Sequence, residues 1–179
     1  MEDGCEYHGA VRSKSLAATN GSGGSDSEPR WLTADEQRAW RAYMDGNQRL
    51  MDQLNRELEA SHNLSLAEYR ILMLLSEAPE RALRMSDLAD GVLSSRSRLT
   101  HQIRRMEEQG LVRRSSCLED GRGVLAHLTD AGWDKLRAAA PHHVEDVRRN
   151  FVDLFTPEQL AVIAEVFERV DEVIGDRES

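Results

Sequence analysis

Four arginines, Arg96, Arg98, Arg104 and Arg105, with Ser97, Thr100 and His101 among them, fall in the stretch SSRSRLTHQIRRMEEQG. An arginine fork matches a pair of phosphate oxygens or the O6 and N7 edge of a guanine, and short hydroxyl or imidazole side chains can reach bases or phosphates. The stretch predicts a helix closed by Gly110. At about 100° per residue, Leu99, Ile103 and Met106 share one stripe. Ser97, His101, Arg104 and Glu108 lie opposite, flanked by Thr100, Arg98 and Arg105. Such a face suits the major groove of a duplex. Arg104 is the candidate for a guanine edge, Ser97, Thr100 and His101 for bases or phosphates, and Arg98 and Arg105 for flanking phosphates. Ser86, Ser95 and Arg96, near the starts of this helix and the one before it, complete the set.

A solvated basic face is the plain alternative for an isolated helix. It loses weight because LVRRSSCLEDGRGVLAHLTDAG follows at once. This segment predicts two short strands, Val124, Ala126 and Leu128 alternating on the second, with EDGRG as the turn. Arg122 at the tip is placed for an adjacent minor groove, where negative potential favours arginine, and Asp120 is placed to hold its fork.

The charge distribution supports a localised contact. The chain carries a net −9, yet residues 81–122 hold nine arginines against six acids, a net +3, and no lysine. A basic island in an acidic body confines nucleic-acid contact to one face.

These side chains need a frame. Residues 1–29, rich in Gly, Ser, Asp and Glu, read as a disordered leader. Thr33 with Glu36 forms a capping box and opens a helix carrying Trp40, Tyr43, Met44, Leu50, Met51, Leu54 and Leu58 at helical spacing. Ser65 with Glu68 opens a second, nearly all-apolar helix limited by Pro79. Ser86 is the expected N-cap of a short third helix, with Leu88, Ala89 and Val92 inward. After the basic helix and the hairpin, Thr129 caps a long helix running to Phe155, with Pro141 a possible kink. Thr156, Pro157 and Gln159 open the last helix. The expected fold is therefore mainly α with a small β-hairpin wing. Residues 63–128 form a winged helix-turn-helix domain, and residues 30–62 and 129–175 form a helical dimerisation region.

Other classes fit poorly. There is no nucleophile elbow, Gly-rich phosphate loop or HExxH, so no enzyme is expected. His142 and His143 are neighbours pointing about 100° apart on a helix, so they read as surface histidines; no metal or cofactor is expected. Cys5 lies in the leader and Cys117 beside the wing, and nothing marks either as reactive. No apolar run approaches the roughly 18–20 residues of a membrane span, no secretory signal opens the chain, and two cysteines give no disulfide framework; a cytoplasmic location is expected. A winged module that binds protein instead of DNA is the alternative, though the second helix keeps its basic character.

The run from LRMSDLA to LTDAG resembles the signature region of the MarR (multiple antibiotic resistance regulator) family. The matching pieces are MSDLA, the S-x-S-x-L-T-x-x-I-x-x-M-E-x-x-G-L-V-x-R frame, Asp-x-Arg at 120–122, and LTDAG. Where the family commonly has a LADRLGLSRS-type turn, this chain has LADGVLSSRS. The resemblance covers residues 31 to about 175. It implies a homodimer that binds double-stranded DNA at a palindromic operator, usually as a repressor, and is released by a small-molecule effector, commonly a phenolic or lipophilic anion. The apolar stripe Leu160, Ile163, Ala164, Phe167, Val170 and Ile174 is the expected dimer face, since a winged domain of about 75 residues offers little surface to cover three further helices. Because family effectors lie between the dimer helices and the winged domain, Trp40, Tyr43, Tyr69 and Met73 are candidate lining residues, with Arg84 or His62 for an anion; core packing is the competing reading of the aromatics.

Overall fold

The computed structural model describes residues 29–116 and 123–178, with side chains to residue 175. Six α-helices and a three-stranded sheet follow in the order α1 (Ala34–His62), α2 (Leu66–Glu77), β1 (Ala82–Arg84), α3 (Met85–Gly91), α4 (Arg96–Glu108), β2 (Val112–Ser116), β3 (Val124–Leu128), α5 (Asp130–Asn150) and α6 (Pro157–Glu178).

The helix starts follow local side-chain chemistry. Thr33 and Glu36 exchange hydrogen bonds at α1, the Thr33 amide donating to Glu36 Oε2 at 2.7 Å. Ser65 and Glu68 do the same at α2, where the Ser65 amide donates to Glu68 Oε2 at 2.9 Å. Thr129 accepts from the Gly132 amide at 3.0 Å, and Thr156 with Gln159 brackets the start of α6. Each device satisfies amide donors that have no partner inside the helix.

Ser86 departs from expectation. The chain leaves β1 directly into α3, so Arg84 is the N-cap residue and Ser86 lies inside the first turn, its hydroxyl donating to Asp87 Oδ1 at 2.9 Å. Strand β1 is itself an addition to the expected two-stranded hairpin. It pairs antiparallel with β3, Leu83 opposite Ala126, and the sheet order is β1-β3-β2. Helix α5 passes through Pro141 as one helix but stops at Asn150, short of the expected Phe155; Phe151 leaves helical geometry and a 3-10 turn spans Val152–Leu154.

The core forms around α2. Ile71, Leu72 and Leu75 pack with Leu88, Leu99, Ile103, Met106, Val112, Ala126, Leu128, Leu136 and Ala139 in one buried cluster. The stripe expected on α4 is thus the buried one, with Leu99, Ile103 and Met106 each at most 1% exposed. Gly132 lets α5 start hard against the end of α4: a Cβ there would overlap the Leu111 carbonyl and lie 2.8 Å from Leu128 Cδ1. Between α3 and α4, Leu93 takes a left-handed φ of 52° while the Ser94 amide donates to Ala89 O at 3.0 Å, so this chain's variant of the turn is hydrogen-bonded shut.

Helix α1 crosses α5 through a polar clamp. Arg149 donates to Glu57 Oε1 at 2.9 Å and Asp146 Oδ1 at 2.6 Å, and Asn150 donates to Glu57 Oε2 at 3.0 Å. Helix α6 is different. Leu160 and Ile163 are half-buried, but Val166, Phe167, Val170 and Ile174 are 40–50% exposed in the single chain, and Trp40, Tyr43 and Met44 on α1 are 40–55% exposed. Tyr43 meets Phe167 with ring centroids 5.2 Å apart.

Candidate nucleic-acid interface

Helix α4 is held by its apolar stripe, which fixes the opposite side toward solvent. Ser95 caps it, its hydroxyl accepting from the Arg98 amide at 3.3 Å, and therefore serves the helix terminus first. Arg96, Ser97, Arg98, Thr100, His101, Arg104 and Arg105 are all exposed on one continuous surface. Their local bonds decide what each can offer a ligand. Arg104 meets Glu108 at 3.3 Å with both side chains about two-thirds exposed, a screened pair of small net value, so its fork remains available. Arg105 donates to Gln102 Oε1 at 3.1 Å. Arg96 and Arg98 form no ion pair among the described residues. Thr100 donates its hydroxyl proton to Arg96 O at 2.7 Å, which leaves an acceptor on the outer face, not a donor.

The wing strands are braced to this helix. Arg114 on β2 gives Glu107 on α4 three hydrogen bonds: its amide to Oε1 at 2.9 Å, and Nε and Nη2 to Oε2 at 2.9 and 2.7 Å. Those bonds hold the Glu107 carboxyl below the ordinary carboxylate range. Sequence reading missed this brace, although the i, i+7 spacing of an acid and a base across the Gly110 turn could have signalled it. Asp120 and Arg122, the candidates at the wing tip, and Cys117 lie outside the described residues.

The six effector candidates do not converge on one site. Trp40 packs on Tyr43, at 5.9 Å between centroids, and Tyr43 in turn meets Phe167. Tyr69 is buried beneath His143, ring centroids 4.4 Å apart. His62 Nε2 lies 3.1 Å from His142 Nδ1. Met73 packs against the core, and Arg84 lines a cleft beside β2. A different cavity of about 300 Å³ lies where α1, α2 and α4 meet, with Met51, Arg70, Leu93, Arg98, Leu99 and Gln102 on its walls. Arg70, Met51 and Leu93 carry no pattern that marks them as ligand-facing in the sequence; only the packing of three helices brings them together.

Of the two neighbouring histidines, His142 is exposed and His143 corrects the surface reading. His143 is half-buried, its Nδ1 sealed from solvent without a hydrogen-bond partner. Burial lowers its pKa, with Asp146 opposing. Burial, then the nearby His142 and Lys135, lower His62 as well. Both groups therefore bind a proton less readily in the folded chain than in the unfolded one, from an ordinary value of 6.5. The folded state keeps their full contribution above that value and loses it as pH falls through the lowered values. Urea unfolding should show a stability plateau above pH 6.5 and a decline below it, and His143→Phe should make the decline shallower.

Among the described residues no group of three or more His, Cys, Asp or Glu could hold a metal, and no helix is long and apolar enough to cross a membrane. A model of the MarR family matches residues 64–124, which run from α2 through the recognition helix to the wing. The homoprotocatechuate degradative operon repressor of Escherichia coli is 30% identical over 131 residues, covering 69% of this chain and 86% of that protein. The chain belongs to the MarR family. Its MarR-family fold is shared with solved structures. AbsC, a MarR family transcriptional regulator from Streptomyces coelicolor, superposes with a TM-score of 0.79 at 44% identity, over 83% of this chain and 99% of AbsC. Sco3205 from the same organism, solved in complex with DNA, gives 0.79 and 44% over 80% and 91%. MarR-family proteins of this kind are DNA-binding transcriptional regulators, not enzymes.

Proposed function

We propose that this MarR-family regulator acts as a homodimeric repressor of a palindromic operator, and that an organic anion releases it. The observation that carries the reading is the exposed face of α4. In a chain of net charge −9, the apolar stripe of α4 is fully buried while Arg104 lies opposite it and Arg96, Arg98 and Arg105 lie exposed to its flanks, and a braced pair of strands follows. Two such faces, related by a two-fold axis, would meet successive major grooves about 34 Å apart. Residues 30–62 and 129–175 would supply the dimer contact through the exposed apolar stripe of α6 and the aromatic start of α1; residues 63–128 would supply the DNA contact. The repressor sense is supported by the E. coli relative, itself named a repressor.

The effector reading moves from the expected six residues to the cavity between α1, α2 and α4. Arg70 and Arg98 face an otherwise largely apolar space of about 300 Å³, an arrangement suited to an aromatic carboxylate. Because Arg98 belongs to α4, a bound anion would draw it away from the duplex. Benzoate is expected to raise the melting temperature of the protein and to weaken its grip on operator DNA, with both effects reduced in Arg70→Gln. Retention of both effects in that variant would remove the cavity from the account.

A further inference from the structure

Helix α4 carries two carboxylates, Glu107 and Glu108, in its last turn. They differ in what they hold. Glu107 is half-buried and spent on Arg114. Glu108 is exposed and shares with Arg104 the side of the helix opposite the buried Leu99, Ile103 and Met106. A carboxylate in that place opposes DNA binding, because a duplex presents phosphate oxygens and, on guanine, two further acceptors. Among the described residues its polar partner is Arg104, whose Nε donates to Glu108 Oε1 at 3.3 Å.

That bond engages Nε, so the two terminal Nη groups are left to make the parallel bonds that read guanine O6 and N7. An arginine stem can otherwise swing to a phosphate as well as to a base, and a phosphate contact carries no sequence information. In water an exposed i, i+4 pair tips the rotamer balance by only about two-fold. Against a duplex two effects enlarge that bias. Water leaves the interface, so the Arg104–Glu108 attraction is less screened. The Glu108 carboxylate also repels any phosphate oxygen that approaches the same guanidinium. Arg105, the next residue, is held instead by the neutral Gln102 at 3.1 Å, which leaves its charge unopposed and suits a flanking phosphate. We propose that Glu108 is a positioning residue for base recognition, which holds Arg104 on a guanine edge and denies it to the phosphates. The proposal rests on the DNA-binding reading above and adds to it a residue that sequence places on the outer face without a role.

The test uses the full chain, selection from a random duplex library, and affinities for the enriched duplex and an unrelated one over a salt series. Because the Arg104–Glu108 pair is about two-thirds exposed, Glu108→Gln should fold as the wild type does. It should bind the unrelated duplex roughly three-fold or more tightly, with a salt dependence steeper by about one unit as Arg104 gains a phosphate. Preference for guanine at one base pair in each half-site should fall about five-fold, the low end of what a bidentate arginine contact discriminates. In an Arg104→Ala background the same substitution should leave base preference unchanged. Guanine preference left intact, whether or not unrelated binding tightens, would overturn the proposal and leave Glu108 a repulsive charge only. So would a change of preference that persists without Arg104, which would put the Glu108 carboxylate on a cytosine amine. An Arg104→Ala variant with wild-type preference would also overturn it, by removing the contact that Glu108 positions. A wild-type chain that enriches no sequence would defeat the DNA-binding reading itself, and this proposal with it.

Discussion

Changing both Phe167 and Val170 to aspartate is expected to yield a folded monomer that binds a palindromic operator about 100- to 10,000-fold more weakly, the range by which two linked contacts exceed one. The single chain explains why folding should survive. Both side chains are already 40–45% exposed, and neither belongs to the buried cluster around α2. The intramolecular loss is the Tyr43–Phe167 ring contact at 5.2 Å, about 1 kcal/mol. In a dimer the same positions would be covered by apolar groups of the second copy, where two unpaired carboxylates cost several kcal/mol. Sedimentation at micromolar concentration should show the change of mass, and the melting temperature of the variant should lose its dependence on protein concentration. A variant that stays dimeric would mean that the apolar stripe of α6 is not the interface.

The second large effect concerns base reading. Arg104→Ala should relax preference at one base pair in each half-site by about 1–3 kcal/mol, while binding elsewhere in the site is unchanged. Arg104 is fully outside the core, and its ion pair with Glu108 is a surface i, i+4 pair of about 0.3–0.5 kcal/mol, so the protein's stability should barely change. This separates Arg104 from Arg105, the candidate for a flanking phosphate: loss of a base contact changes which sequences are chosen, and loss of a phosphate contact weakens all of them. Selection from a random library with wild type and variant reads the difference directly. An unchanged preference would take Arg104 off the base edge.

Which parts of this site could be read from sequence follows from the range of the interactions involved. The capping pairs Thr33–Glu36, Ser65–Glu68 and Thr156–Gln159 are three residues apart, and the Leu99, Ile103, Met106 stripe spans two turns, so the chain order itself displays them. Once that stripe is buried, the exposure of Arg96, Arg98, Arg104 and Arg105 follows from helix geometry. Strand β1 was invisible because three residues are too few for an alternating pattern, and its partner, β3, lies far along the chain. The same strand displaced Ser86 from its expected N-cap role, since Arg84 passes from β1 straight into α3. His143 reads as a surface residue until α2 places Tyr69 against it. The six effector candidates are spread over different packings of the single chain for the same reason. Trp40, Tyr69 and Arg84 have residue types suited to a pocket, but Trp40 packs on Tyr43 of its own helix, Tyr69 lies against His143 on α5 and Arg84 lines the cleft beside β2.

The most direct test of the central claim is selection of the purified full-length chain against a random duplex library at two salt concentrations. The account predicts an enriched inverted repeat with half-sites about one helical turn apart and an affinity that falls steeply as salt rises. Enrichment of no sequence, with binding indifferent to salt, would contradict it.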